Sequence, residues 1–255
     1  INNQYDYIFH CAVYFEAGNF ANAANEFLNN QMINLNVLNG WMRQKNAKLI
    51  TFGSDACYNI ESEKYESEYL LGEPNKDYYA YALTKRNLYN GLLEIAKSNP
   101  EKQYLHLVLI TLFGQEFKLE DNHLIHAIIK KIVDAKYTET KAEFWGSGNQ
   151  YREITYINDL VDNVINVSFN DSIKNDIFNL GSNKLETIRR YVSIVCDIVD
   201  YPIDKVFFDI KKTRGQLTKF LNSDKIRRSI DYKDTNLKDC LQKTIKYYIE
   251  KRGYK

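Results

Sequence analysis

Apolar runs in the first half of the chain alternate with segments of helical periodicity. The runs cover residues 7–13, 48–52 and 105–112, and their length fits strands that are buried on both faces. Between them, residues 22–43 and 79–97 repeat apolar side chains at three- and four-residue steps, as helices do. Strands that alternate with helices pair in parallel through right-handed crossovers. The pattern therefore predicts an α/β fold built on a parallel sheet.

The pattern changes after Gly114, and we expect a domain boundary there. The second half alternates shorter strands with amphipathic helices and predicts a second, smaller α/β domain. Its predicted elements are a helix at 123–135, an extended segment at 143–145, a strand at 152–157, helices at 159–169 and 187–199, a strand at 206–209 and a helix at 236–251.

Composition narrows the class of protein. Of the 255 residues, 44% are hydrophobic, which supports a sizeable core, and 34 basic side chains nearly balance 33 acidic ones. The sequence has no basic block typical of a nucleic-acid binder and no apolar run long enough to cross a bilayer. Its four cysteines include no C-x-x-C pair, which indicates reduced thiols, and no metal-ligand spacing occurs. We therefore expect a cytoplasmic protein without a metal.

Candidate chemistry lies in a Tyr-x-x-x-Lys element, Tyr81 and Lys85, on the second predicted helix. Four residues are about one helical turn, so the two side chains share a face. An ammonium group favours the phenolate form of a neighbouring tyrosine and makes it an acid or base near neutral pH. Ser54 follows the strand at 48–52, at the strand end where ligands bind in parallel sheets. In a chain with 20 tyrosines, an ordinary helix face and a turn serine remain the alternative reading.

Several segments match, in order, the motifs of one enzyme family. The matches are TFGSDACYN (51–59) to F-L-G-S-S-C-I-Y-P, YALTK (81–85) to Y-A-x-A-K, NHLIHAIIKK (122–131) to S-H-V-I-P-A-L-x-R-R, WGSGNQYREITYINDL (145–160) to W-G-x-G-x-x-x-R-E-F-x-x-V-D-D-x, IFNLGSN (177–183) to I-N-V-G-x-G and KKTRGQLTKFLN (211–222) to x-K-P-D-G-x-x-x-K-x-L-D. The chain thus resembles the extended short-chain dehydrogenases/reductases, the NAD-dependent epimerase/dehydratase family. Within that family it is most similar to the GDP-L-fucose synthases.

The resemblance implies a Rossmann-like, doubly wound parallel sheet and a smaller C-terminal α/β substrate domain. Residues 1–113 would form a partial dinucleotide-binding domain and residues 114–255 a nucleotide-sugar-binding domain, with 152–182 partly returning to the first. Family members begin with a strand and a glycine-rich turn that holds the pyrophosphate. This sequence contains no such turn, so we expect the N-terminal strands to be missing from this record of a longer chain.

The resemblance also implies roles for individual residues. Tyr81 would be the proton donor, Lys85 its activator and a ribose contact, Ser54 a hydrogen-bond partner of the keto oxygen, and His123 the acid of epimerisation. The implied NADP(H)-binding residues, with NAD(H) as the alternative cofactor, are His10, Ala12, Asn30, Phe52, Gly53, Ser54, Tyr81, Lys85, Thr111, Leu112 and His123. The implied substrate-binding residues are Ser54, Lys131, Trp145, Arg152, Arg214 and Lys219.

Several of these assignments have an alternative in which the residue has only a structural role. Trp145 could be part of a core, Arg152 a partner in a surface salt bridge, Lys219 a solvated lysine and His123 a residue that only begins a helix. The helices at 22–43 and 79–97 correspond to the dimer bundle of the superfamily, so the resemblance implies a homodimer.

The sequence departs from the family at the position of a catalytic residue. Ala56 occupies the position of the family's catalytic cysteine, and Cys57 is one residue further on. Neighbouring residues leaving a strand point to opposite sides, so Cys57 should face away from the substrate unless the turn is bulged. Without that thiol, epimerisation at C3 and C5 should be crippled, whereas reduction at C4 needs only the nicotinamide, Tyr81, Lys85 and Ser54. The expected activity is an NADP(H)-dependent C4-ketoreductase of a GDP-linked 4-keto-6-deoxy sugar.

Other departures concern the sugar. Lys131 replaces an arginine, Arg214 replaces an aspartate, and Leu109, Ile110 and Thr111 replace Pro-Thr-Asn. They suggest a related but different sugar, a hexose or a longer heptose. The alternatives are a bifunctional 3,5-epimerase/4-reductase, another nucleotide-sugar epimerase, or a non-catalytic dinucleotide sensor. The intact Ser-Tyr-Lys set speaks against the sensor, and Ala56 speaks against a dehydratase because it removes the glutamate that a dehydratase needs.

Overall fold

The computed structural model describes residues 4–14, 23–212 and 216–254. The chain packs into two compact units. Unit 1 contains the residues up to Leu109 together with Val164–Leu180 and Leu221–Asp231, and unit 2 contains Ile110–Asn163, Gly181–Phe220 and the residues from Tyr232 onward. The predicted domains, 1–113 and 114–255 with 152–182 partly returning, stay a prediction; the units themselves divide first between Leu109 and Ile110.

Unit 1 is built on a parallel sheet, as the alternation of strands and helices predicts. Its strands are β1 (Tyr7–His10), β2 (Lys48–Ser54), β3 (Gln103–Leu109) and β8 (Asp176–Leu180), in the order β1-β2-β3-β8. All three pairings are parallel, and β2 pairs with β3 from Lys48 and Gln103 to Ser54 and Leu109. Helices α1 (Ala23–Met42) and α2 (Tyr79–Ser98) pack on each other beside this sheet. The α/β fold with a parallel sheet is thus confirmed.

Two of the expected strands differ from their predicted form. The first apolar run gives only the four residues of β1, and Phe9 is 37% exposed, because only β2 pairs with this strand among the residues described. The third run divides. It ends as β3 at Leu109, and Leu112–Phe113 forms a separate strand, β4, that pairs with β7 (Thr155–Tyr156) in unit 2.

Helix α1 buries a face of mixed polar and apolar residues. Its buried residues are Asn30, Asn34, Leu38 and Trp41. Of the apolar side chains that repeat at helical spacing, Leu38 is buried, but Leu28, Met32, Leu35 and Met42 are 50–62% accessible. Apolar periodicity therefore predicted the helix but not which face it buries. The buried asparagines are retained because each has hydrogen-bond partners on neighbouring segments.

Two buried lysines hold helix ends in unit 1. The Nζ of Lys102 donates to the carbonyl oxygens of Trp41, Met42 and Gln44 at the C-terminus of α1. The Nζ of Lys48 donates to the Ser168 carbonyl at 2.9 Å, at the C-terminus of α4 (Ile157–Ser168). Helix C-termini present unpaired carbonyls and a partial negative charge, so an ammonium group there is stabilising even when it is buried.

Unit 2 packs three helices around one apolar core. They are α3 (Leu124–Tyr137), α5 (Ile188–Val199) and α7 (Leu237–Arg252), and their buried residues include Ile129, Val195 and Leu241. Short strands complete the unit: β5 (Ala142–Trp145) pairs with β10 (Val206–Asp209), and β6 (Tyr151–Glu153) lies between β9 (Leu185–Thr187) and β11 (Thr218–Lys219).

A glycine closes the turn between β5 and β6. Gly148 has φ +72°, and a Cβ at this position would lie 2.5 Å from the Phe208 ring. Both the backbone conformation and the space therefore require glycine.

The short helix α6 (Asp224–Ser229) belongs to unit 1 and packs on β8. None of the described helices is long and apolar enough to cross a membrane.

Candidate active site

Unit 1 brings Ser54, Tyr81 and Lys85 together. Ser54 ends β2, and its Oγ accepts a hydrogen bond from the Ala56 amide at 3.2 Å, which caps the turn at Asp55–Cys57. Tyr81 lies in the first turn of α2 and Lys85 one turn later, with the Lys85 Nζ 5.5 Å from the centroid of the Tyr81 ring. The turn serine and the Tyr-x-x-x-Lys pair thus form one group.

The electrostatics of this group differ from the expectation based on the lysine alone. Burial raises the pKa of Tyr81 well above its usual value, and a hydrogen bond with Ser54 lowers it by less. Burial also lowers the pKa of Lys85. Desolvation is the largest contribution to the pKa of Tyr81, because burial penalises the charged phenolate directly. Tyr81 keeps its proton at neutral pH, which suits it to donate a proton rather than to accept one.

Arg86 joins the catalytic helix to the loop that follows β2. It is 8% exposed, and its guanidinium donates to the carbonyls of Cys57 (Nε, 2.9 Å), Gly72 (Nη1, 2.7 Å) and Leu71 (Nη2, 2.8 Å). The planar fork of arginine can hold several acceptors at fixed angles. Because Arg86 directly follows Lys85, these bonds fix the distance between the Ser54 turn and the helix of Tyr81.

A chain of buried hydrogen bonds supports the Ser54 turn from behind. The Thr51 Oγ1 lies 2.7 Å from Nδ1 of His106, whose Nε2 lies 2.9 Å from the Tyr69 hydroxyl. That hydroxyl donates to Cys57 Sγ at 3.1 Å, and the thiol contacts the Ala82 carbonyl at 3.5 Å. A Cβ at position 53 would lie 2.6 Å from His106 and 2.7 Å from Tyr69, so only Gly53 lets the strand pass this close.

Cys57 cannot take the place of the family's catalytic cysteine. Its side chain is fully buried, and its thiol faces Tyr69 and the backbone of α2. Burial raises the pKa of the thiol to about 11, so it is not a thiolate at neutral pH. Residues Asp55–Cys57 form a 3-10 turn instead of continuing the strand, so alternation along a strand does not set the direction of this side chain, and its orientation relative to a substrate stays a prediction. Ala56, at the family's cysteine position, has no group that removes a proton.

A second network joins the end of β1 to both helices. The Nε2 of His10 lies 3.0 Å from the Oδ1 of Asn34, and the Nδ2 of Asn34 donates to the Thr84 carbonyl at 3.1 Å. One turn earlier, the Asn30 side chain binds both the amide and the carbonyl of Tyr14, at 2.9 and 2.8 Å. Asn30 and His10 thus position the segment after β1, in which Ala12 is exposed.

Unit 2 brings two of the predicted substrate residues together on an exposed face. Trp145 is 61% exposed and ends β5. The Lys131 Nζ lies 5.9 Å from the indole centroid and the Lys212 Nζ lies 5.2 Å from it. Lys131 also donates to the Glu143 carbonyl at 2.7 Å. Trp145 is therefore not a core residue, and both ammonium groups lie at a distance from its ring at which a cation is attracted to an aromatic face.

Arg152 and Lys219 form the second pair in unit 2. They lie opposite each other on the parallel strands β6 and β11. The Arg152 guanidinium donates to the carbonyls of Tyr151 at 2.7 Å and Gln216 at 2.6 Å, so it orders the segment before β11. Arg214 lies outside the described residues.

The remaining predicted residues lie in both units. Phe52 and Gly53 belong to unit 1, and Thr111, Leu112 and His123 belong to unit 2. His123 directly precedes α3, and its side chain is 69% exposed. Within the ranges that the structure describes, no cluster of three or more histidine, cysteine or acidic side chains could hold a metal.

Sequence reasoning missed the residues that support this group: Arg86, Asn34, Tyr69 and His106. One signal was present, a histidine inside the apolar run LHLVLITL, because a polar residue in a buried strand needs a buried partner. The partner itself, Tyr69, lies 37 residues away, in a loop without periodicity. Arg86 carried no such signal, since an arginine on a helix is ordinarily solvated.

Known proteins place this arrangement in a family. A relative from Yersinia pseudotuberculosis, GDP-L-colitose synthase, is 27% identical over 240 residues, which are 92% of this chain and 78% of that protein. GDP-L-fucose synthase from Escherichia coli is 24% identical over 87% of this chain and 72% of that protein. A GDP-L-fucose synthetase structure from Naegleria fowleri superposes with a TM-score of 0.85 at 19% identity, over 97% of this chain and 78% of that chain.

A further solved structure and a family match agree with these relatives. GDP-mannoheptose C4 reductase from Campylobacter jejuni, with NADP bound, superposes with a TM-score of 0.80 at 21% identity, over 95% of this chain and 82% of that chain. The NAD dependent epimerase/dehydratase family matches residues 1–181. Since that match covers well over half of the 255 residues, the chain belongs to the NAD dependent epimerase/dehydratase family.

Proposed function

We propose that this chain reduces the C4 ketone of a GDP-linked 4-keto-6-deoxy sugar, a hexose or a heptose, with NADPH as the reductant. The observation that carries the proposal is the Ser54–Tyr81–Lys85 group beside Ala56. The group supplies what reduction needs, and the position of the epimerising thiol holds only a methyl group.

The proton chemistry follows from the side chains of unit 1. Ser54 and Tyr81 hold the ketone oxygen by hydrogen bonds. As C4 is reduced, the O–H bond of Tyr81 breaks and its proton passes to the sugar oxygen, which becomes a hydroxyl. The raised pKa of Tyr81 keeps that proton in place until charge develops on the oxygen. The Lys85 ammonium, 5.5 Å from the ring, then stabilises the phenolate that is left.

The strand ends of unit 1 fit a nicotinamide dinucleotide. Lys85 and Ser54 are the kinds of donor that ribose and carbonyl oxygens accept, and Asn30 and His10 fix the segment after β1, beside which such a cofactor lies in parallel sheets. When bound, NADPH supplies the hydride for C4. The sequence match alone assigns Ala12, Phe52 and Gly53 of unit 1, and Thr111, Leu112 and His123 of unit 2, to cofactor binding. NADP is named in the solved structures of two related proteins, which favours NADPH over NADH.

The substrate class rests on the relatives and on unit 2. The names of the relatives include a GDP-colitose synthase, GDP-fucose synthases and a GDP-mannoheptose C4 reductase. The exposed Trp145 with Lys131, and the Arg152–Lys219 pair, offer an aromatic face and cations for a guanine base and a diphosphate. Arg214 is proposed to contact the sugar on the basis of the sequence match alone.

A direct assay tests the proposal. The chain is incubated with NADPH and GDP-4-keto-6-deoxymannose, and oxidation of the cofactor is followed at its absorbance maximum while NMR identifies the product. We expect a GDP-6-deoxyhexose with a C4 hydroxyl, formed at a rate that Tyr81→Phe lowers about 10²- to 10⁴-fold. Tyr79→Phe, two residues away on an exposed ring, is the matched control. If wild type and Tyr81→Phe oxidise NADPH at the same rate with every ketosugar of this class, the proposal is wrong.

A second candidate function, combined 3,5-epimerisation and 4-reduction, requires a base other than Cys57. The buried, hydrogen-bonded thiol leaves only His123 with water for this role. The two functions separate in deuterated water: a reductase returns product without deuterium at C3 and C5 beyond the solvent background, whereas an epimerase labels these carbons.

The exposed apolar stripe of α1 supports a homodimer. Leu28, Met32 and Leu35 lie on one face of a long helix and are 58–62% accessible, more apolar surface than a helix ordinarily leaves in water. Light scattering after gel filtration tests this assembly, and Met32→Lys should shift it to monomer.

The four free cysteines favour a cytoplasmic location.

A further inference from the structure

One arginine in unit 1 ties the turn after Ser54 to the helix of Tyr81. The Arg86 side chain donates twice to the Cys57 carbonyl, from Nε at 2.9 Å and from Nη2 at 2.5 Å. Cys57 ends the turn that Ser54 caps. Arg86 follows Tyr81 on α2. The bonds between Arg86 and Cys57 therefore join the two elements that carry the serine and the tyrosine.

The same guanidinium closes the loop between these elements. Its Nη1 donates to the Gly72 carbonyl at 2.7 Å, and its Nη2 donates to the Leu71 carbonyl at 2.8 Å. The loop is narrow at this point, because a Cβ at position 72 would lie 2.9 Å from the side-chain amide nitrogen of Asn59. Arg86 thus binds both the beginning and the end of the loop formed by residues 57–72.

The fork of donors makes Arg86 the strong tie between the turn and α2. Arg86 is buried, and its hydrogen bonds run to main-chain carbonyls. A guanidinium presents its donors in a fixed plane, whereas an ammonium group is a point charge. The other contact of this turn with α2 joins Cys57 Sγ to the Ala82 carbonyl at 3.5 Å, and a thiol is a weak donor. The direction of the Arg86 donors therefore fixes where the Cys57 carbonyl lies relative to α2.

Ser54 and Tyr81 depend on this separation. They lie on different elements, and their side chains are hydrogen-bonded to each other. In the proposed reaction both hydroxyls bind the same ketone oxygen, which requires each of them within about 3 Å of it. A displacement of about 1 Å at a reacting group can cost about 10²-fold in rate. Small changes in the distance between the turn and α2 should therefore be felt in catalysis.

We propose that Arg86 is a positioning residue for the proton transfer: through the Cys57 carbonyl it fixes the distance between the serine turn and α2, so that both hydroxyls reach one ketone oxygen. The inference rests on the proposed function, because that function supplies the ketone. Arg86 acts through the turn, since its donors face main-chain carbonyls. No proton leaves it during the reaction.

Kinetics with Arg86→Met test this role, because methionine removes the donors and keeps a long side chain. We expect kcat for reduction of GDP-4-keto-6-deoxymannose by NADPH to fall about 10²-fold. KM should change by less than about threefold, because the lost contacts serve the geometry of the transition state rather than binding.

Lys102→Met is the matched control. Lys102 is also a buried cation of unit 1 that donates to main-chain carbonyls, but at the C-terminus of α1 instead of at the serine turn. Its loss should lower the stability of unit 1 and leave kcat within about twofold of the wild type.

Arg86→Lys is the second variant, which keeps the test decisive if the methionine variant does not fold. Lysine keeps the charge and loses the planar fork, so it cannot hold all of the carbonyls at the same angles. We expect urea unfolding closer to that of the wild type but a kcat about tenfold lower. A loss of kcat without a matching loss of stability would separate positioning from simple support of the fold.

NMR follows the geometry without turnover. Tyrosine labelled with carbon-13 at Cζ gives one signal for each of the 20 tyrosines, and Tyr81→Phe identifies the signal of Tyr81 by its loss. We expect Arg86→Met to shift this signal, because the hydrogen bond with Ser54 changes when the turn moves. Lys102→Met should leave the signal in place.

The outcomes separate the two proposals. A wild-type chain that reduces the ketosugar, with the same kcat in both Arg86 variants, overturns the positioning role and leaves the proposed function intact. Equal losses of kcat in Arg86→Met and Lys102→Met also overturn it, since they would indicate a general loosening of unit 1. A wild-type chain that reduces no ketosugar of this class overturns the proposed function. In that case a shifted Tyr81 signal in Arg86→Met still supports the tie between Arg86 and the Ser54–Tyr81 pair, and an unshifted signal overturns it.

Discussion

Removing one hydroxyl group, in Tyr69→Phe, tests whether the buried chain of hydrogen bonds behind Ser54 stabilises unit 1. The hydroxyl lies between His106 Nε2 at 2.9 Å and Cys57 Sγ at 3.1 Å, and the Tyr69 side chain is fully buried. Phenylalanine keeps the edge-on ring contacts with Tyr58 and Tyr89, at 5.4 and 5.6 Å. Packing is therefore preserved, and the variant isolates the hydrogen bonds.

The expected loss of stability follows from the two groups that lose the hydroxyl as a hydrogen-bond partner, the His106 imidazole and the Cys57 thiol. The hydroxyl donates to the thiol, so its oxygen accepts from His106, and the ring's other nitrogen faces Thr51. A buried polar group that loses its partner costs about 1–3 kcal/mol, and a thiol, as a weak acceptor, costs less than an imidazole N–H. We expect Tyr69→Phe to lower the free energy of unfolding of unit 1 by about 2–3 kcal/mol.

Urea unfolding followed by tryptophan fluorescence measures this change. Of the two tryptophans, Trp41 is fully buried in unit 1 and Trp145 is exposed in unit 2, so a Trp145→Phe background makes the signal specific to unit 1. Tyr5→Phe, at a half-exposed tyrosine of unit 1, is the control. A loss below about 0.5 kcal/mol, the size of a surface substitution, would refute the reasoning.

Three further predictions concern pH, catalysis and the lost thiol. Burial lowers the pKa of His106 to about 3. As the pH falls below about 6.5, the imidazole is therefore protonated in the unfolded chain but stays neutral in the folded chain. Stability should therefore fall as the pH drops from about 6.5 to about 3, by about 1.4 kcal/mol per unit, and His106→Gln should flatten this slope in urea titrations at pH 7 and 5. Tyr81→Phe should lower kcat about 10²- to 10⁴-fold with little change in KM, and a smaller effect would exclude it as the proton donor. Ala56→Cys restores a thiol at the family's position and should introduce deuterium at C3 or C5 of the product in deuterated water; unlabelled product would show that position 56 does not face these carbons.

The sequence was sufficient for the elements whose periodicity is strong. The strand at 206–209 has the predicted bounds, and the helix predicted at 79–97 extends from Tyr79 to Ser98. Both patterns are local, because a helix face or a short apolar run is specified by neighbours along the chain. Tyr81 and Lys85 share a helical turn for the same reason. Their assignment to catalysis stays a prediction.

The sequence could not predict which face of a helix is buried or which distant residue a buried polar side chain bonds to. Apolar spacing along α1 marks Leu28 and Met32, yet the helix buries Asn30 and Asn34. Burying an asparagine costs free energy unless its side-chain amide has a hydrogen-bond partner. For Asn34 one such partner is the Thr84 carbonyl, 50 residues away. Periodicity carries no information about such distant partners.

The sequence by itself determined the parallel α/β order, the spacing of Tyr81 and Lys85, and the absence of a thiol at Ala56, because each is a local pattern or a residue identity. Only the tertiary structure decided that the Cys57 thiol contacts Tyr69 and the Ala82 carbonyl, and that Tyr81 keeps its proton. The physical reason is desolvation. Burial sets the pKa of Tyr81 and Cys57, and burial depends on segments that meet only in the folded chain.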